Sequence, residues 1–475
     1  MSPEDSSQDR TVKDLAKEND SLRKENDTVR EQLERAQVEI ERLRKELEEA
    51  LRRLKRQAAP FSRDKRKKKP NRPGRKGGLE YGKQATRPIP DHIDERIAVP
   101  LPKRCGCGGK AMYDETLSQY QEDIVRKIIV RRFDVEIGHC SCCGRRIQGR
   151  HELQTSDALG AAGVQIGPQA LSLAAHLRKE MGLSDGRAAR VLNLGWGLEM
   201  SRSGICRAVI RVAQKAAPTY EQLRMVIRQA DVAWMDETGW RVAATLQWLW
   251  GVVTETVTVY DILPGRGFAE ASSILGADWQ GWLHHDGWRV YYQFLEAFHQ
   301  SCLNHLLTRC RDLIEKVSPS AARFPFHIQK LLRKGLNLRD RFLRYDISEH
   351  GLAIATGRIE AAMEELLARS YRSAENRRLA KHLRHEQPWL FTFLKRPDIV
   401  DATNNVAERA MRPAVIARKT WGGNRTEAGA EAQKTLMSVL ASCRQQGKDS
   451  FQRLVELLRS PVPTIIDIVT VGSSP

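Results

Sequence analysis

Apolar side chains recur at alternating three- and four-residue steps from Val12 to Leu54, with no proline or glycine among them. That 3.5-residue period predicts one long helix carrying a narrow apolar seam. The pattern vanishes over Ser62 to Gly78 (SRDKRKKKPNRPGRKGG), whose lysine, arginine, proline and glycine cannot build a core. Between Tyr120 and Ile137, β-branched residues alternating with charges predict strands. Helical spacing returns in three pieces: Ala170 to Met181, Ser184 to Asn193, and Ser201 to Lys215. The third has Ser201 as its expected cap and Ile205, Val209 and Val212 on an inward face. Val232 to Asp236 reads as a buried strand, Thr245 to Leu263 as a longer β-rich stretch, and GWLHHDGW as a short strand ending at Asp286. From about Leu306 to Phe393 the pattern is almost entirely helical, and arginines recur in it at 333, 339, 341, 344, 377 and 378. A last helix through NNVAERAMR has Asp401 as its expected cap and Pro413 as its expected end or kink.

The first helix fits a heptad with Val12, Asn19, Asn26, Leu33, Ile40, Leu47 and Leu54 at position a. Leu15, Leu22, Val29, Ala36, Leu43 and Ala50 occupy position d. Such a seam is buried only against another helix, so the segment is expected to form a homodimer. The two asparagines at a favour a parallel, in-register pair. In that arrangement Glu18 meets Arg23, Glu25 meets Arg30, and Glu39 meets Arg44 across the interface. The alternative is a long solvated helix that packs on its own chain. The basic stretch that follows, with Arg72, Arg75 and Lys76 at its centre, contacts DNA either as an arm in a narrow minor groove or as a loose phosphate tether.

Length and charge narrow the class. A chain of 475 residues exceeds the ~250–300 at which single cores stop growing, so several domains are expected. A net charge of +19 and a pI near 9.7 point to a polyanionic partner. No apolar run reaches the ~18–20 residues of a membrane span, and the charged first thirty residues lack a signal peptide's apolar stretch. A cytoplasmic or nucleoid-associated protein is expected, with reduced thiols among its nine cysteines. Cys105 and Cys107, followed by the Cys-x-x-Cys pair Cys140 and Cys143, have the spacing of a small structural zinc ribbon. A knuckle that folds without metal is the alternative. The three helical pieces resemble a helix-turn-helix whose last helix would present Arg202, Arg207 and Arg211 to a major groove.

The candidate chemistry lies in three acidic residues: Asp236 in AWMDETGW, Asp286 in HHDGW and Glu408 in NNVAERAMRP. Strand side chains alternate faces, so Asp236 and Glu237 cannot both enter one site, and Asp236 is the choice. Asn404 lies one turn before Glu408 on the same face. Two strand carboxylates and one helix carboxylate would hold two magnesium or manganese ions, since hard oxygen ligands suit those metals. Arg418, Lys419 and Trp421, in RKTWGG, follow closely. The cations could grip scissile phosphates, and the indole could stack on an unpaired base or pack in the core.

The motifs DET, HxDGWxxY, the CxxH of Cys302 to His305, NNxAER and RPxxxxRKxW, with the helical tail, resemble the insertion sequence 66 family of DDE transposases. The resemblance runs over nearly the whole chain. It implies an α+β multidomain protein with a ribonuclease H-like α/β catalytic core and a helical insertion, preceded by coiled coil, zinc-ribbon-like domain and helix-turn-helix. The corresponding segments are 1–57 (coiled coil), 58–100 (basic linker), 101–155 (cysteine domain), 160–225 (helix-turn-helix), 228–303 (first part of the core), 304–400 (insertion) and 401–475 (second part of the core and C-terminal helices). It further implies Asp236, Asp286 and Glu408 as the DDE triad, His305 near the site, DNA ends and target as substrates, and accessory transposition proteins as possible partners. Two local departures stand out: the first cysteine pair is CxC, and the tryptophan motif continues as WGG. A silent DNA-binding regulator and a ribonuclease H-like nuclease that cuts without joining are the competing readings.

Overall fold

In a computed structural model, residues 3–54, 89–104, 106–124, 127–154, 157, 165–462 and 464–468 are described. Arg72, Arg75, Lys76 and Cys105 lie outside them, as does the whole Ser62–Gly78 stretch. Helix α1 runs unbroken from Pro3–Leu54, and Leu33, Ile40 and Leu47 of its seam are exposed in the single chain. Next comes a small hairpin of β1 (Ile137–His139) and β2 (Arg146–Gln148). The described residues between Tyr120 and Glu136 form no strand, contrary to the expectation from their alternation. Ile124, Ile129 and Val130 all face solvent, so among the described residues the pattern has no apolar partner to bury against.

Helices α2 (Pro168–Ala175), α3 (Asp185–Trp196) and α4 (Arg202–Arg228) follow, and α4 begins at the cap expected from Ser201. Ser184 accepts from Arg187 N, and Ser201 from Gly204 N at 3.0 Å. Ile205, Val209 and Val212 are buried as expected. Helix α4 continues well past Lys215, through Pro218, because Thr219, Tyr220, Leu223 and Ile227 extend its buried face. One apolar core joins these helices to the sheet and to the C-terminal helices.

The sheet has five strands in the order β5-β4-β3-β6-β7. Strands β3 (Val232–Val242), β4 (Thr245–Val253) and β5 (Thr258–Leu263) form an antiparallel meander. After helix α5 (Phe268–Leu275), β6 (Trp282–His285) and β7 (Phe298–Ser301) add in parallel on the other side of β3. The chain is thus a mixed α/β protein built around one mixed sheet. From β7 it enters α6 (Leu303–Ile314), α7 (Pro319–Leu343), α8 (Glu349–Ala368) and α9 (Ala374–Glu386), which share a separate apolar core. It returns as α10 (Asn405–Trp421), α11 (Glu427–Gln445) and α12 (Ser450–Arg459). Helix α11 lies along edge strand β5, where Ser438 and Ser442 accept from the backbone N–H groups of Tyr260 and Thr258 at 2.8 and 3.0 Å. Those donors would otherwise be left unpaired at a buried edge.

Two expectations about α10 change. Asp401 does not cap it; the carboxylate is held by Arg339 of α7 at 2.8 Å, and the helix starts after Asn404. Pro413 does not end it either. The helix passes through to Trp421, pinned beside the proline by the Tyr260 hydroxyl, which donates to Ala410 O at 2.7 Å.

Candidate functional site

The even-numbered side chains of β3 face α10. Val232 and Trp234 pack with Ala407, while Trp240 and Val242 pack with Met411, Ala414 and Ala417. Asp236 lies between these two apolar groups on the same face. Its antiparallel partner on β4 is Gly251, and a Cβ there would sit 2.6 Å from Met411 Sδ. The glycine therefore lets α10 settle onto the sheet beside Asp236, with Glu408 in the first turn of the helix. Asp286 follows the last residue of β6, the strand parallel to β3, and its carboxylate accepts from Trp288 N at 2.9 Å.

The three acids are electrostatically joined. Burial, then Glu237, Asp286 and Glu408, push the Asp236 carboxyl up to about 7. Glu237 points to the opposite face, where Arg266 and the Tyr291 hydroxyl both donate to it. Burial raises Glu237 too, but these partners oppose the shift. Glu237 is thus a buried, satisfied structural acid, and alternation along the strand separates it from Asp236.

Glu408 Oε1 is buried without a hydrogen-bond partner, and so is Asn404 Oδ1 nearby. Asn404 itself is fully buried; its Nδ2 donates to Met235 O at 2.8 Å, tying the start of α10 to β3. His305, one turn into α6, has Nδ1 3.5 Å from Glu408 Oε1. A hydrogen bond with Cys302, reinforced by Glu408 and Asp286, raises His305 to about 9. Cys302 Sγ also accepts from Asn404 N at 3.1 Å.

The loop after Asp286 is clamped by the helical insertion. Gly287 has a φ of +86°, and an added Cβ would collide with the Glu386 carboxylate of α9. Glu386 is fully buried and accepts from the Tyr292 hydroxyl at 2.8 Å. Behind the loop, His285 Nε2 lies 3.3 Å from His299 Nδ1, and burial drives both imidazoles below their usual value. His284 accepts from Asp401 N at 3.0 Å, so Asp401 links Arg339 of the insertion to the floor of the sheet.

The remaining candidates divide. Arg418 donates to Thr238 Oγ1 and Gly239 O, both at 2.7 Å, and so bridges α10 to β3. Trp421 stands edge-on to Trp240, donates from Nε1 to Gly182 O at 3.0 Å, and has the Arg178 guanidinium over its ring. Lys419 is exposed on the same helix. Arg202, Arg207 and Arg211 are all exposed on α4. Cys140 and Cys143 occupy the turn between β1 and β2, closed by Gly144 N donating to Cys140 O at 2.9 Å. The backbone N–H groups of Cys143 and Cys142 pull the Cys140 thiol below its ordinary value. Cys107 sits in a second turn, bracketed by the Arg104–Lys110 bridge. Among the described residues, only Cys302, His305 and Glu408 bring three possible metal-ligand atoms together, all within 4.8 Å of one another. Sequence reasoning did not weigh Cys302 or Glu386 as site residues. The i to i+3 spacing of CxxH at a helix start was the available signal for Cys302; Glu386 had none, because its partners are far away in sequence.

A half-buried acidic cluster beside a helix start, on the central strands of a strongly basic chain, suits chemistry on a nucleic acid backbone. Residues 163–432 match the family described as Transposase IS66 family, and the chain belongs to that family of DNA transposases. No curated protein matches the chain. No helix among the described residues is long and apolar enough to cross a membrane.

Proposed function

We propose that the chain binds the ends of its insertion sequence, cuts DNA there and joins the freed ends to target DNA, using Asp236, Asp286 and Glu408 as a DDE triad. The observation that carries the reading is that Asp286 and Glu408, from β6 and α10, lie close enough to Asp236 on β3 to add to burial and Glu237 in pushing its carboxyl up to about 7. The strand order, an antiparallel meander extended by two parallel strands, supports a ribonuclease H-like core with the acids on its central strands. The donor set fits magnesium or manganese: hard carboxylate oxygens, one of them buried with no hydrogen-bond partner. Two such ions, when bound, would supply an activated water or hydroxyl and charge stabilisation at the leaving oxygen. The chain's own residues do the rest. Asn404 and Arg418 fix α10 against β3, Glu386 braces the Asp286 loop, and His305 lies where it can exchange a proton with a substrate oxygen.

DNA capture is assigned to the exposed arginines of α4, acting as a helix-turn-helix, together with Arg72, Arg75 and Lys76 of the basic arm. Lys419 and Arg418 sit past Glu408, where they can face the scissile strand. Trp421 braces the end of α10, the helix that carries them. The cysteine turns are read as a structural zinc ribbon through Cys105, Cys107, Cys140 and Cys143. Helix α1 is read as the dimerisation element of a nucleoid-associated protein. Asp236→Ala, Asp286→Ala and Glu408→Ala should each abolish strand cleavage of end DNA in magnesium while end binding stays within a few-fold of the parent. Full cleavage by any one of them removes that residue from the triad. Strand transfer from pre-cut ends separates a transposase from a nuclease that cannot join.

A further inference from the structure

We propose that Cys302, His305 and Glu408 form a second metal site, distinct in chemistry from the carboxylate site, which takes a thiophilic divalent ion of the zinc type. Its consequence for catalysis rests on the triad reading above, because Glu408 belongs to both sites. The geometry is already close to a ligand set. Tetrahedral zinc with bonds of about 2.0–2.3 Å places its ligand atoms roughly 3.3–3.8 Å apart. Here the three atoms lie within 4.8 Å of one another, and His305 Nδ1 to Glu408 Oε1 measures 3.5 Å. Cys302 is the residue before α6 and His305 sits in its first turn, so the helix holds both on one side without rearrangement. Glu408 Oε1 has no hydrogen-bond partner among the described residues and faces His305 Nδ1 as an ion-pair contact.

The sulfur is prepared as well. The N–H of Asn404, at the start of α10, points at Cys302 Sγ from 3.1 Å and fixes the sulfur beside His305 and Glu408. Hard magnesium has little affinity for such a sulfur, whereas zinc binds thiolate, imidazole and carboxylate together. Binding releases the Cys302 thiol proton and any proton on His305 Nδ1 to solvent, and no redox change is involved. Three protein ligands leave a fourth position open, unlike the closed four-cysteine arrangement proposed for Cys105, Cys107, Cys140 and Cys143. An ion seated here draws Glu408 away from the other two acids, so zinc opposes magnesium-supported cleavage.

The test uses the full chain without DNA, titrated with cobalt as a spectroscopic stand-in for zinc, beside Cys302→Ser, His305→Ala and Asp236→Asn. Difference spectra remove the signal from the N-terminal cysteines. The parent should show one more sulfur-to-cobalt charge-transfer centre than Cys302→Ser, and equilibrium dialysis should give one more bound zinc. His305→Ala should weaken the same centre by on the order of tenfold or more, since loss of an outer-shell partner alone costs about that much. Asp236→Asn should keep it. Zinc titrated into the magnesium cleavage assay, with each protein scaled to its own zinc-free rate, should inhibit the parent at concentrations at least about tenfold lower than it inhibits Cys302→Ser. Equal cobalt spectra and zinc stoichiometry in parent and Cys302→Ser overturn the site. Full cleavage by Asp236→Asn, with its cobalt–sulfur centre intact, would instead count against the triad and leave this site standing.

Discussion

Asp236 shows how a single residue can be costly to the fold and still be kept. An aspartate in an unfolded chain titrates near 3.9, whereas burial and three neighbouring acids hold this one near 7 in the metal-free fold. Between those values the folded state binds more protons than the unfolded state, so stability falls as pH rises from about 4 to about 7. Asp236→Asn removes the charge and should raise the melting temperature in chelator at pH 8 by a few degrees, the scale of about 1–3 kcal/mol, with almost no change near pH 4. Magnesium should then stabilise the parent far more than the variant. An unchanged or lowered melting temperature at pH 8 would contradict the electrostatic account. Gly287 makes the companion case: its φ of +86° and the Glu386 carboxylate beside it leave no room for a methyl group. Gly287→Ala should displace Asp286 and cut cleavage by on the order of tenfold or more, with about 1–3 kcal/mol lost in denaturant unfolding. That Asp236 and Glu237 face opposite sides of β3 was legible in the sequence because strand alternation is a local rule. The brace from Glu386 was not, since its only meaning lies in a contact across roughly a hundred residues.

At the scale of elements, starts were easier to read than ends. Ser201 caps α4 as its sequence suggests, because capping is decided within four residues, and Ser184 caps α3 in the same way. The far end of α4 was missed, because its extra turns are held by sheet and tail packing rather than by local signals. Pro413 misled for the same reason: Tyr260, Met411 and Ala414 hold α10 across it. Asp401 looked like a cap and is instead a tie to the insertion. The critical joint between elements is Gly251, where α10 rests on β4. Gly251→Val should lift α10, moving Glu408 from Asp236; cleavage should drop at least about tenfold, with a loss of about 1–3 kcal/mol typical of overpacking. Met411→Ala in the same chain should restore part of both, and if relief of the crowding restores neither, helix docking is not what sets the Glu408 position. The α11 serines test a different joint. Ser438→Ala with Ser442→Ala should cost about 1–3 kcal/mol for each edge N–H left without an acceptor, read as a lower urea midpoint at unchanged slope.

The whole molecule joins a strongly basic body to a helix whose described seam residues Leu33, Ile40 and Leu47 stay exposed in the single chain. Leu33, Ile40 and Leu47 are about half exposed along a helix of 52 residues, so association is the available way to remove that surface from water. Two asparagines at a positions lower the stability of a pair but select one register, and opposite charges flank the seam on both sides. Dimerisation would give one assembly two acidic sites and two sets of α4 arginines, which is what handling two DNA ends at once requires. The prediction separates that role from catalysis. Leu33→Lys with Ile40→Lys places like charges face to face in the seam, so sedimentation at micromolar concentration should give the monomer mass where the parent gives twice that value. Because β3, β6 and α10 lie far from the seam in sequence and pack on their own core, nicking of a single short end should survive. Bridging of two labelled ends should not. Each lost phosphate contact should lower the slope of log affinity against log salt by about 0.9, so the monomer's shallower dependence also counts the contacts that pairing contributes. A charged-seam variant that still sediments as a dimer would show that some other surface joins the subunits, and the exposed heptad would then need another partner.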